Sequence, residues 1–454
     1  MQIYLGKMES RVLVLWITLV SLACSEDIRS SDLGVKIPNE IENESISSSV
    51  NEFGFKLIKE LMRRNENQNI VISPAGISGL LAMALLGSVG ESYEELARVL
   101  GFSEDVRRNR ENHDHFGDLL RSLNINDTSS KTMYADVIFA DKSSILREAY
   151  RSYLSRVYGG DALTTDFKNQ QAAKDLINEW VYDNTKGKIS NFLKEALPID
   201  TKVVLLSALY FSGQWKHPFL IEFTKKLPFK GLTEDVMVEQ MLNMGSFPYI
   251  FSYNDDLHMI ALPYNDSVTT MYALKPRRPN DLTLAELLNR LDFNKIDALI
   301  AKMENRKCVI RYPKMNLQRT ENLEESLKAI GVRNIFKPGQ ANFALMVDNN
   351  SVVNRTVNEI VSRINTGDID DSRSLKEVVD SLPNPGVYVD TVLHDVKLTV
   401  DEYGTEAVAA TSGILARSAE LFYADTPFFM FIRNERTKLV TFSAIISNPK
   451  SFQT

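Results

Sequence analysis

The chain has 454 residues, 44% of them hydrophobic and 24% charged, with no low-complexity run. That is globular material, long enough to bury a large core and too long for a simple small domain. A net charge of −7 argues against nucleic acid as a partner, because phosphate binding needs a basic surface.

At the N-terminus, Lys7 and Arg11 precede the apolar run Val12 to Leu22, which is followed by Ala23, Cys24 and Ser25. A basic region, a short apolar region and small residues describe a cleavable secretory signal over residues 1–25. The run is about half of the ~20 residues needed to cross a bilayer, so the expectation is a secreted, extracellular protein with no membrane partner. The two cysteines are Cys24 and Cys308. The first leaves with the signal, and the second sits in the strand-like run Cys308 to Tyr312, where it reads as a buried hydrophobe.

Residues 26–46 are polar and acidic, and predict a disordered tail ahead of one domain over 47–454. Val50 to Leu61 and Ile77 to Leu86 show helical spacing. Ala172 to Thr185 does too, with Ile177, Trp180 and Val181 on one face. Thr201 to Phe211 has strand length and branched or aromatic composition, as do Val389 to Val400, Phe428 to Ile432 and Leu439 to Ile446. Such mixing predicts an α+β fold with antiparallel or mixed sheets. Residues 346–386 break the pattern: they are polar and end in Pro383-Asn-Pro-Gly386, so they read as an exposed insertion. Ile360, Ile364, Leu375, Val378 and Leu382 could form short amphipathic turns there. N-x-S/T sequons at Asn43, Asn126, Asn265, Asn349 and Asn354 are candidate glycan sites.

A catalytic reading finds little. The histidines are His113, His115, His217, His258 and His394, and no nucleophile elbow, Walker loop, dinucleotide fingerprint or H-E-x-x-H motif is present. His113-Asp-His115 lies in the charged run Arg107 to His115 and reads as a solvated helix face. The expectation is no enzyme, no cofactor and no metal. The cluster Arg107, Arg108 and Arg110 is a weak regulatory site because acids interleave it.

The segment Asp401 to Glu420 is the most informative. From Gly404 it is a run of small residues without a hydrophobic face. At a period of two, Thr405, Ala407, Ala409 and Thr411 fall on one side, with Glu406, Val408 and Ala410 on the other. Small side chains could slide between existing strands, where bulky ones would overpack.

Here the chain resembles the serpins. Glu402-x-Gly404-Thr-Glu-Ala-x-Ala-Ala-Thr411 is similar to the family's hinge. Asn69-Ile-x-x-Ser73-Pro74 resembles the start of its shutter helix, and Ile177-Asn-x-Trp-Val to Gly187-Lys-Ile189 its F-helix. Leu206-Ser207-Ala-Leu-Tyr-Phe-x-Gly-x-Trp215 is similar to a central-sheet strand with the breach tryptophan. Leu262-Pro-Tyr264, Tyr312-Pro-Lys-Met315, Leu327 to Val332, Asp425 to Arg433 and Asn448-Pro449 follow in family order, so the match covers nearly the whole mature chain. The resemblance implies the serpin fold: three β-sheets, about eight or nine helices, and an exposed reactive-centre loop within a hinge-and-loop segment 402–426. It also implies the mechanism of a suicide inhibitor. A serine protease cuts the bait bond, and the loop enters the central sheet as a new strand before the acyl-enzyme hydrolyses. His394 matches the family's shutter histidine. Gly76 stands where the family usually has a serine and Ser207 where it usually has an asparagine, which puts the barrier to spontaneous loop insertion in question more than the fold.

Family spacing from Glu402 places the bait bond at Ser418-Ala419. Chemistry favours Arg417-Ser418, because a trypsin-like pocket with a buried aspartate selects a guanidinium. The expected partner is an extracellular serine protease held covalently by a monomer. The alternative is a non-inhibitory serpin acting as carrier, storage protein or chaperone, against which the small hinge residues Thr405, Ala407 and Ala409 argue.

Overall fold

Apolar side chains recur along the first helix, α1 (Pro38–Arg64), at Val50, Phe53, Leu57, Ile58 and Leu61, all buried. That stripe is what a helix needs to dock on a core. The structure is a computed structural model that describes residues 38–103, 109–123, 130–348, 379, 382–403 and 419–450, with side chains from residue 45 onward. Residues 38–46, expected within a disordered tail, are instead helical. Pro38 suits a first helical position, and Ile46 is already buried at 7% exposure, so packing carries the helix past the polar stretch. From Ser45 on, the chain forms one compact unit.

The central sheet has five strands in the order β11 (Met315–Asn322), β13 (Val389–Val400), β5 (Val203–Gly213), β2 (Ser130–Asp141) and β4 (Asp161–Thr165). A larger sheet runs β1 (Ile70–Ile72), β16 (Val440–Ile446), β15 (Phe428–Asn434), β9 (Thr269–Pro276), β8 (Leu257–Pro263), β7 (Asp235–Ser252), β10 (Glu304–Pro313) and β14 (Glu420–Tyr423), with β6 (Leu220–Lys230) also on β7. A short pair joins β3 (Ile145–Leu146) to β12 (Val347–Asp348). The remaining helices among the described residues are α2 (Pro74–Gly87), α3 (Glu91–Leu100), α4 (Asn109–Ser122), α5 (Glu148–Tyr158), α6 (Gln170–Asn184), α7 (Leu284–Asn289), α8 (Phe293–Ile300) and α9 (Glu324–Ala329). This is the α+β class predicted.

Two helices position the site. α2 is apolar all round, every one of its residues is buried, and it shares the largest core cluster with both sheets. α6 covers the opposite face of the central sheet. Its Ala173, Ile177 and Val181 pack on Ala135, Val137 and Phe139 of β2 and Val204, Leu206 and Ala208 of β5. Trp180 joins them only partly buried.

Three expectations need correcting. His113 is not on a solvated face: it is fully buried in α4, its ring edge-on to Phe102 and Tyr158, with Nδ1 in a short hydrogen bond to the Tyr158 hydroxyl. Aromatic packing outweighed the charged local sequence. Within 346–386, read as an exposed insertion, Met346 and Val347 are instead core residues and Val379 and Leu382 are buried against Val89, Ala344 and Leu345, while 349–378 lie outside the described residues. Asn43, placed in the tail, lies within α1.

Cys308 is 2% exposed in β10, and burial pushes its thiol up to about 12. A thiol-reactive dye should therefore label the native protein negligibly and react fully only on unfolding. Rapid native labelling would contradict this packing.

Candidate functional site

The site begins with a seam in the central sheet. β13 and β5 pair in parallel, from Val389 opposite Val203 to Leu398 opposite Phe211, with an irregularity between Val389 and Thr391. Their outer neighbours are antiparallel: β2 on β5 and β11 on β13. A segment that turned back from the end of β13 would run antiparallel to both seam strands, and antiparallel pairing is slightly stronger per residue than parallel. β13 ends at Val400, and the chain next appears as a strand at Glu420, on the edge of the larger sheet beside β10. Gly404, Thr405, Glu406, Ala407, Ala409, Ala410, Thr411, Arg417 and Ser418 lie in between, outside the described residues. Ala419 is described and half-buried.

The loop's two anchors are well defined. At its start, Trp215 Nε1 donates to the Asp401 carbonyl at 2.8 Å, and the Trp215 amide to the Tyr403 carbonyl at 3.2 Å. The Trp215 ring is 4% exposed and stacks on Tyr264, centroids 4.4 Å apart. Glu402 is buried at 4% exposure. Lys314 Nζ donates to its Oε2 at 2.8 Å and Thr224 Oγ1 to its Oε1 at 2.9 Å. Burial alone would push this carboxyl up, yet the Lys314 and Thr224 bonds hold it below its ordinary value. At the far end, Lys275 Nζ donates to the Tyr423 carbonyl at 2.5 Å and to Asp425 Oδ1 at 3.1 Å, which fixes β14.

Midway along the seam, the Ser73 amide donates to His394 Nε2 at 2.8 Å, so the imidazole accepts and carries its proton on Nδ1. Ser73 caps α2, its Oγ accepting from the Gly76 amide at 3.0 Å. Thus α2's N-terminus is tied to the seam strand that precedes the loop. Ser207 lies beside His394 in the β5–β13 register, but its Oγ is buried and makes no hydrogen bond. A side-chain carbon at Gly76 would stand only 3.0 Å from that oxygen.

Burial pushes His394 and His113 each down to about 3. In the unfolded chain both titrate near 6.5, so their stabilisation is present above that value and lost as pH falls below it. Replacing His113 by Gln should remove about 2 kcal/mol of the stability lost between pH 7 and 5, read from denaturant midpoints of the two proteins. An identical acid loss in the variant would refute this.

Of the sequon asparagines, Asn265 is exposed in the turn after β8, while Asn126, Asn349 and Asn354 fall outside the described residues. Lys314, Thr224 and Asp136 are site residues that sequence reading missed. Lys314 was visible only inside the Tyr312-Pro-Lys-Met315 resemblance, with no sign of its partner. Asp136, an acid within the apolar run Tyr134 to Phe139, was the one legible anomaly. Among the described residues no cluster of metal-ligating side chains occurs.

The comparisons agree with this geometry. The family model for serpin (serine protease inhibitor) matches residues 48–449. A leukocyte elastase inhibitor of Xenopus tropicalis is 30% identical over 416 residues, covering 89% of this chain and 100% of that protein. Serine protease inhibitor 28Dc of Drosophila melanogaster is 29% identical over 414 residues, 84% of this chain and 75% of that protein. Native protease nexin-1, crystallised with heparin, shares the fold at TM-score 0.73 and 23% identity, covering 90% of this chain and 100% of that one. Mouse protein-Z dependent protease inhibitor does so at TM-score 0.75 and 22% identity, over 90% and 99% of the two chains. The expectation of no enzyme activity is corrected in its ground. It rested on missing catalytic motifs, which decide nothing; what bears on the question is the family's description as a serine protease inhibitor. With the family model matching most of its length, the chain belongs to the serpin (serine protease inhibitor) family.

Proposed function

We propose that this protein is a secreted inhibitor of a trypsin-like serine endopeptidase. It traps the acyl-enzyme by inserting its cleaved loop between β5 and β13. The observation that carries this reading is the parallel seam whose downstream strand runs directly into a hinge of small residues. The bait bond is Arg417-Ser418, with Arg417 filling an acidic specificity pocket; Ser418-Ala419 is the alternative and would suit an elastase-like enzyme. About ten new backbone hydrogen bonds, each worth ~1 kcal/mol net, help drive insertion against deacylation. Secretion rests on the signal-like residues 1–25, and the exposed Asn265 suits a glycan on an extracellular surface.

Incubation with trypsin and with elastase tests the reading. A band on denaturing gels resistant to dissociation, with a released peptide that starts at Ser418, is the expected result for trypsin. A peptide starting at Ala419 moves the bait bond. Cleavage in the loop without complex by either enzyme, and by other extracellular serine proteases, favours the carrier or storage alternative.

A further inference from the structure

Four polar side chains stand in register across the central sheet: Asp136 opposite Ser207, Ser207 opposite His394, and His394 opposite Glu321. Cross-strand partners share a face, and here it is the face under α2. Glycines at 76 and 79 let that helix close on the row: a side-chain carbon at Gly79 would stand 3.1 Å from Asp136 Oδ2, as one at Gly76 would crowd Ser207. Asp136 Oδ1 and Ser207 Oγ are both buried and make no hydrogen bond. The seam divides the row in the middle. Parting β5 from β13 would leave Asp136 and Ser207 on one side, and His394 and Glu321 on the other.

Among the described residues no cation is paired with Asp136. α2 carries no titratable residue, and from α4 it is Leu120 that approaches Gly79. The titratable groups on this side are Tyr134 on the same strand, His394 across the seam, Glu321 paired with Arg319 on β11, and the buried His113, Tyr150 and Tyr158 of α4 and α5. On the other face, α6 offers Ala173, Ile177, Val181 and the partly buried Trp180 to the sheet, none of them titratable. We propose that a proton on Asp136 latches the closed sheet. The neutral carboxyl can donate to Ser207 Oγ and complete the row, whereas the ionised form has at most the Ser207 hydroxyl as a donor and is a buried charge with no cation beside it, one strand from the seam.

Burial pushes this carboxyl up to about 7, against a smaller lowering by the Ser207 hydroxyl. A raised carboxyl stabilises the native state fully below its unfolded value of about 4, and that stabilisation is lost as pH rises through the folded value. The sheet should therefore open more readily above neutral pH and resist opening below it.

The latch rests on the insertion reading, and one experiment separates the two. A synthetic peptide copying residues 404–416 is added to the full-length protein from pH 5.5 to 8.5, and its incorporation is followed on native gels. Incorporation should quicken roughly three- to tenfold across neutral pH in wild type, and be flat in pH for Asp136→Asn, which keeps the size and removes the charge. A buried protonated carboxyl should also appear in the infrared spectrum of wild type at pH 6 and be missing from the variant. No incorporation at any pH overturns the insertion reading and the latch with it. Incorporation that is independent of pH, or equally pH-dependent in Asp136→Asn, overturns the latch alone. If the variant misfolds, absence of that infrared band from wild type overturns it.

Discussion

Thr405→Arg is expected to leave folding intact and turn the inhibitor into a substrate. The seam that would receive residue 405 and its neighbours is packed on both faces. On the α2 face lie Leu205, Ser207, Val392 and His394, and on the α6 face Leu206, Ala208 and the partly buried Leu393. A guanidinium carried into that space overpacks it and buries an unpaired charge, at a cost of several kcal/mol. Each 1.4 kcal/mol slows insertion about tenfold while deacylation is unchanged, so insertion should lose the race by 100-fold or more. Covalent complex should fall below roughly a tenth of the wild-type yield, with cleavage as fast as before. Undiminished complex would show that residue 405 never enters the sheet.

Glu402→Lys should have the second largest effect, on the native state itself. Glu402 ties the end of β13 to Lys314 and Thr224, and its carbonyl accepts from the Phe219 amide at 2.8 Å. The reversal removes both side-chain bonds and sets a second cation against Lys314. Because Lys314 is 41% exposed, water screens part of the cost, and a loss of about 2–3 kcal/mol is expected. With the top of the seam loosened, loops of neighbouring molecules should enter it on mild warming and give a ladder on native gels. Glu402→Gln keeps the shape without the charge repulsion and should ladder far less. Equal behaviour of wild type and Glu402→Lys would show that this ion pair does not hold the seam.

Much of the fold could be read from the chain because its periodicities agree with its packing. Val389 to Val400 was predicted as a strand and is one, and the stripe Val50 to Leu61 lies within α1. Two of the errors share a cause. His113 and Ile46 sit in polar or charged local sequence but are buried by residues distant in the chain, such as Tyr158 for His113, so no local window contains the reason, whereas Met346 closes the apolar run Phe343 to Val347 and was misplaced by drawing the polar stretch too early. The site divides in the same way. The hinge composition is local and legible, as is the cation at Arg417. The row Asp136, Ser207, His394 and Glu321 exists only through the register of four strands, and Lys314 meets Glu402 only because β10 ends beside β13's exit. Polar residues inside apolar strands were the available signal, and Asp136 was the clearest of them.

Cleavage in the loop is expected to let it become a strand of the central sheet. The most direct measurement is the thermal melting point of the purified protein before and after a single cut within residues 404–418. About ten new hydrogen bonds predict a rise on the order of 10–20 °C for the cleaved protein. An unchanged or lower melting point would mean that the loop stays outside, and would contradict inhibition by insertion.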